Sequence, residues 1–203
     1  MKDKRALLAW VALLCPGTLS SVHAEDAAFS GVAQVSTNEL GGLSRIQPRG
    51  AAQPATVFFR DDALRIQFQD ASGRSYALIL AKGAPSGWIV GQQGGAMPVP
   101  GMRWPLRFDP DQPCAGLGMF ADCQRGDSGL RAGRDAVQWR YRLANPDGPG
   151  RTRQGTMWLD RETGLVLAYR GKTGLEQQQH WDIQRVDYGP QPDALFQPPD
   201  LAH

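Results

Sequence analysis

The chain has 203 residues, with 22 Lys and Arg against 20 Asp and Glu, and three cysteines. Lys2, Lys4 and Arg5, the short apolar run Ala6–Leu14 and the small-residue site Val22-His23-Ala24 read as a cleavable signal peptide cut after Ala24. Without it, 179 residues carry 19 basic and 19 acidic groups, and a neutral chain with scattered arginines has no electrostatic footprint for nucleic acid.

The alternative at the N-terminus is lipidation of Cys15, but Leu14 stands where a small residue is expected and Pro16 follows. Residues 25–203 have a length that suits one domain, and export makes the protein periplasmic. Cys114 and Cys123 then sit in an oxidising setting, which predicts a disulfide closing a short Gly- and Asp-rich loop.

Phe29–Thr37 predicts the first strand. Asn38–Pro54, with Gly41, Gly42, Pro48 and Gly50, reads as a loop and not a helix. Ala55–Arg60 and Ala63–Gln69 predict a hairpin around Asp61-Asp62, with Leu64, Ile66 and Phe68 on one face. Ser75–Ala81 and Trp88–Val90 follow after turns at Ser72–Arg74 and Gly83–Gly87. Short strands with turn signals between them predict an all-β sheet or barrel.

Residues 92–136 differ. Pro98, Pro100, Pro105, Pro110 and Pro113 argue against a regular central strand, yet Met97, Met102, Trp104, Met119 and Phe120 are unusually apolar for a loop. Such a segment must be covered by the body of the protein or must cover something, so it reads as an irregular lid. Ala136–Leu143 is the cleanest strand, with Val137, Trp139, Tyr141 and Leu143 inward and Gln138, Arg140 and Arg142 outward. A three-stranded meander follows: Arg153–Asp160, Leu165–Arg170 and Leu175–Tyr188, the last with Leu175, Trp181 and Ile183 on one face. Period-two alternation with one polar side marks antiparallel strands that cover a core on one face. In the tail, Leu195 and Phe196 are expected to dock on the sheet.

Catalytic motifs are weak. Gly126-Asp127-Ser128-Gly129 resembles the nucleophile segment of chymotrypsin-like proteases, but the only preceding histidine, His23, belongs to the signal. His180 and His203 are too few for a zinc site. Asp61-Asp62 and the pair Asp160 and Glu162 sit at hairpin turns, where Asp bonds nearby backbone N–H groups. What remains is aromatic content: Trp139, Tyr141, Trp158 and Trp181 can fill a core or line a cavity.

Gly133-Arg134-Asp135-Ala136-Val137-Gln138-Trp139, Thr156-Met157-Trp158-Leu159-Asp160, Thr163-Gly164-Leu165-Val166-Leu167 and the closing phrase Gln191-Pro192-Asp193-Ala194-Leu195-Phe196-Gln197-Pro198-Pro199 carry a resemblance. The stretch from Gly133 to Pro199 is similar to the LolA/LolB-like superfamily of periplasmic lipoprotein carriers. The resemblance implies an unclosed β-barrel, a curved antiparallel sheet whose concave side shelters acyl chains. Two features depart from that family's pattern: only Glu25–Ala28 is available for its opening helix, and 92–136 is too rich in Pro and Gly to supply its lid helices.

The expectation is an exported, non-catalytic binding protein that needs no cofactor or metal. It would hold a lipid, a lipidated protein or another apolar group against Trp139, Tyr141, Trp158, Trp181, Met97, Met102, Trp104, Met119 and Phe120. The alternative is a filled β module that works through an envelope protein partner, as an interaction or stress-sensing subunit.

Overall fold

The structure is a computed structural model that describes residues 29–42, 51–84, 86–92, 94–100, 107–175 and 177–197. The signal peptide with its cut after Ala24, Cys15, Met102 and Trp104 lie outside the described residues.

Eleven strands form one antiparallel sheet. They are β1 (Ser30–Thr37), β2 (Gln53–Arg60), β3 (Ala63–Gln69), β4 (Ser75–Leu80), β5 (Ser86–Gly91) and β6 (Ala96–Pro100) in the first half. The second half holds β7 (Asp122–Arg131), β8 (Arg134–Arg142), β9 (Gln154–Asp160), β10 (Val166–Lys172) and β11 (Gln178–Tyr188). The spatial order is β6-β5-β4-β3-β2-β1-β11-β10-β9-β8-β7. Two meanders therefore lie back to back, joined where β1 pairs with β11 from Gly31–Tyr188 to Thr37–Trp181. The outer strands β6 and β7 follow one another in sequence, and they do not pair among the described residues. The result is an unclosed half-barrel.

Bulges bend it. Gln34–Val35 opposes Arg185 and Ile183, leaving Gln184 as the extra residue, so burial moves from Trp181 and Ile183 to Val186. In β10, Val166 and Leu167 both lie against Leu159, and both are buried. An extra residue on one strand bends the sheet and increases its twist.

One face carries the core. Cross-strand pairs Val57–Ile66, Ile66–Leu78 and Leu78–Ile89 run through the first half, and Val137–Leu159 and Trp139–Met157 through the second. The tail lies on the other face: Phe196 is buried under the Arg60 guanidinium, and Arg65 Nη1 donates to the Leu195 carbonyl.

Three differences from the sequence pattern have physical causes. Residues 92–136 contain β6 and β7, both edge strands with one neighbour each, where Pro98 and Pro100 lose no ladder bond on the open side. Gly126–Gly129 is part of β7, at a bulge opposite Gln138. Leu175 sits in the turn before β11 and is 81% exposed. Among the described residues, no helix is long and apolar enough to cross a membrane.

Candidate functional site

The inner face is built around one cross-strand row. Trp139 on β8 faces Met157 on β9, Met157 faces Tyr169 on β10, Tyr169 faces Trp181 on β11, and Trp181 faces Thr37 on β1. All five are buried. Antiparallel neighbours on one face stand about 4.5–5.5 Å apart at Cβ, so aromatic rings in such a row are in contact. Two residues along β8, Tyr141 faces Gly155, which faces Gly171. A Cβ on Gly155 would stand 2.9 Å from Tyr141 Oη, and one on Gly171 only 2.5 Å. The paired glycines open the channel through which the tyrosine lies across two strands.

That channel ends in a buried polar group. Thr152 Oγ1 donates to the Pro149 carbonyl, so its bond with Tyr141 Oη is donated by the tyrosine. Burial raises the Tyr141 pKa to about 12. Beside it lie two atoms, Glu39 Oε1 and Tyr169 Oη, which find no hydrogen-bond partner among the described residues. Both crowd the place where Gly150 would carry a Cβ, and Gly150 has φ 61°, a backbone that favours glycine. Burial pushes the Glu39 carboxyl well above its usual pKa, which favours its protonated form. The 3-10 segments Glu39–Gly42 and Pro149–Arg151 bring these groups onto β11 and β10.

A strap crosses the same half. Arg107 bridges to Leu165 and donates from Nε to the Thr163 carbonyl, and Phe108 N donates to the Gly164 carbonyl. Pro110 then accepts from Trp139 Nε1 at 3.1 Å. Cys114 is disulfide-bonded to Cys123, which faces Tyr141 across β7 and β8. The strap thus runs from the β9–β10 turn over Trp139 to the β7 edge.

At the β9–β10 turn a hydrogen-bond hub holds the end of the sheet. Asp160 accepts from Arg134 Nε, Tyr188 Oη and the backbone N–H groups of Glu162 and Thr163. Burial alone would raise the Asp160 pKa, but these donors, Arg134 foremost, outweigh it and hold the carboxyl below its usual value. An open polar cleft of about 750 Å³ borders the hub, lined by Asp111, Arg134, Asp135, Arg161 and Glu162 among others. Among the described residues, no three His, Cys, Asp or Glu side chains are grouped to hold a metal.

No family model and no curated protein matches the chain. Solved structures do. The chain is similar to LolA superfamily proteins. One, from Nitrosomonas europaea, covers 86% of this chain and 91% of its own at 10% identity and TM-score 0.36. A putative outer membrane lipoprotein-sorting protein domain from Vibrio parahaemolyticus covers 82% and 89% at 8% identity and TM-score 0.35. MucB, also solved in complex with MucA from Pseudomonas aeruginosa, covers 85% of this chain at 19% identity and TM-score 0.42. This chain spans 57% of the MucB chain.

Of the residues singled out from the sequence, the structure gathers Trp139, Tyr141 and Trp181 on the inner face, at 7%, 4% and 2% exposure. Trp158 points the other way, half-buried beneath the Arg131 guanidinium. Met97 lies on the edge strand β6, and Met119 and Phe120 stand 93% and 77% exposed in the disulfide loop. Glu39 and Thr152 carried no sequence signal, whereas Tyr169 was visible as an aromatic in alternation with Ala168 and Arg170 in its own strand. Glu39 lay in a Gly-rich stretch, and only the fold turns it under the sheet.

Proposed function

We propose that the protein is an exported, non-catalytic binding module whose half-barrel takes an apolar group, such as a lipid acyl chain, against its inner face. One observation carries this: the apolar core covers a single face of a sheet whose two edges are unpaired among the described residues, so strap and edge strands can part without breaking the ladder. The strap is tied by few bonds, at Arg107, Phe108, Pro110 and the Cys114–Cys123 bridge. Displacing residues 107–113 would uncover the Trp139–Met157–Tyr169–Trp181 row, which continues into the hydrocarbon surface of β1–β5. Sheets of this curvature enclose apolar interiors suited to such ligands.

A second reading is a filled module that acts through an envelope protein. The burial of Trp139, Tyr141 and Trp181, and the bond that Trp139 Nε1 already makes to Pro110, favour it. Native mass spectrometry of the protein purified without detergent from the periplasm, with organic extraction of the same sample, separates the two. A bound mass of lipid size, released on denaturation, supports the first. A bare polypeptide that takes up no added lipid but co-purifies with a stoichiometric protein overturns it.

A further inference from the structure

The two open edges of the sheet are not equivalent. β6 runs only from Ala96 to Pro100, and Pro98 and Pro100 have no N–H to offer a neighbour. Short edges that carry proline resist further pairing. β7 runs ten residues, from Asp122 to Arg131, without a proline, and none of them is buried. On the side away from β8 it has no neighbouring strand among the described residues. A long exposed edge of this kind is a template for another strand.

Register shows which backbone groups face the open side. Arg161 N donates to the Asp135 carbonyl and Leu143 N to the Arg153 carbonyl, so odd-numbered residues along β8 bond to β9 and even-numbered ones to β7. Arg131 and Gly129 therefore bond to Arg134 and Ala136, and Leu130 and Ser128 turn their N–H and C=O groups outward. The bulge at Gly126-Asp127, opposite Gln138, adds one residue and reverses the alternation. Before it, Asp122 and Gln124 bond to Arg142 and Arg140, and Cys123 and Arg125 face outward. The open edge thus presents Cys123, Arg125, Ser128 and Leu130, two on each side of the bulge.

We propose that β7 pairs antiparallel with β7 of a second copy of this chain, about a two-fold axis between Gly126 and Asp127, so that one sheet runs through both copies. In this register Cys123 faces Leu130 and Arg125 faces Ser128, and all four outward residues exchange bonds with outward residues. A slip of one residue sets outward groups against inward ones, and a slip of two leaves two of the four unmatched. A bulge blunts many edges, but on the axis it brings the two halves of the strand into matching phase. Charge agrees with the register. At each end Asp122 meets Arg131 of the second copy, and neither makes an ion pair in its own chain among the described residues. Opposite charges directly across an antiparallel pair stabilise it, whereas an in-register parallel pair would set Asp122 on Asp122. Leu130, 72% exposed, comes to Cys123 of the second copy, three residues from Phe120 at 77%. The two-fold closes on itself, as most soluble dimers do. The proposal does not depend on the inner face holding a ligand.

The test is sedimentation velocity of the processed protein, purified from the periplasm, over a series of concentrations. A reversible monomer–dimer equilibrium is expected. Ser128→Pro deletes an outward N–H and no bond to β8, and should leave a monomer. Asp122→Arg and Arg131→Asp should each weaken dimerisation roughly tenfold, because two attractive pairs become repulsive. The two reversals together should restore it to within about threefold of the parent protein. All three positions are exposed, and circular dichroism checks that the variants fold. A monomer at every concentration up to about 1 mM, a dimer indifferent to all three substitutions, or a double variant no tighter than either single one overturns the proposal. The first of these results would leave the edge to a strand of another protein.

Discussion

The two meanders solve the same problem differently. In the first, the inner face from β1 to β5 is hydrocarbon almost throughout: Val35, Val57, Phe59, Leu64, Ile66, Leu78 and Ile89 are all buried and offer no polar atom to a covering segment. In the second, the inner face carries polar heads. Trp139 donates to Pro110, Tyr141 to Thr152, and Glu39 is buried against Tyr169. Hydrocarbon contact is non-directional, so the first meander can exchange one apolar cover for another at little cost in specificity. Hydrogen bonds are directional and expensive to leave unmade, so the second meander fixes its strap in one place.

The largest expected effect tests the hydrocarbon half. Ile66→Ala removes a side chain at 0% exposure between Val57 and Leu78 and should cost about 2–5 kcal/mol in urea unfolding. A cost under 1 kcal/mol would mean that this face is loosely packed, and the contrast would lose its basis.

The strap comes next. Replacing Cys114 and Cys123 by serine opens a nine-residue separation and should cost about 2–3 kcal/mol. Proteolysis should then begin between 107 and 121, while β1–β5 stays protected. Simultaneous loss of protection in both halves would show that the strap supports the whole sheet and not only its second half.

Tyr141→Phe removes a single donated bond and should cost about 1 kcal/mol, because Thr152 keeps its bond to Pro149. An unchanged midpoint would show that the hydroxyl does not fix this end.

The smallest effect is a slope. Burial raises the Glu39 pKa in the folded protein above the ordinary 4.5, so the folded state binds the extra proton. Its stability is full below about pH 4.5 and falls as pH rises through the folded pKa. Glu39→Gln should flatten that decline in urea midpoints measured as a function of pH. Identical slopes in the two proteins would mean that the carboxyl titrates normally, as an exposed one does.

Most strands were legible because alternation of polar and apolar residues is a local property. Ala63–Gln69 matches β3 residue for residue, and the strand carrying Trp139 and Tyr141 was plain. β6 and β7 were hidden because an edge strand needs only one hydrogen-bonded neighbour and so tolerates Pro98, Pro100, Gly126 and Gly129. The phase change at Gln184 was hidden too, since a bulge is set by the partner strand.

The candidate site was legible only in part. Trp139, Tyr141 and Trp181 could be placed on a common face because each alternates with polar neighbours in its own strand. That Trp158 faces outward also follows from alternation, once Met157 and Leu159 are seen to be inward. Glu39 could not be found, because its burial depends on β11 lying beside β1, a contact across some 140 residues.

By itself the sequence determined an all-β chain of antiparallel strands and most of its inward residues, because turn chemistry and period-two patterning act locally; the unclosed half-barrel was what the family resemblance implied. The tertiary structure alone decided which strands are edges, where the strap runs, that the buried Glu39 carboxyl lies beside Tyr169, and that cations on β8 and β10 share one face. Those features are pairings between distant segments, and register between strands, not residue order along one of them, brings the groups together.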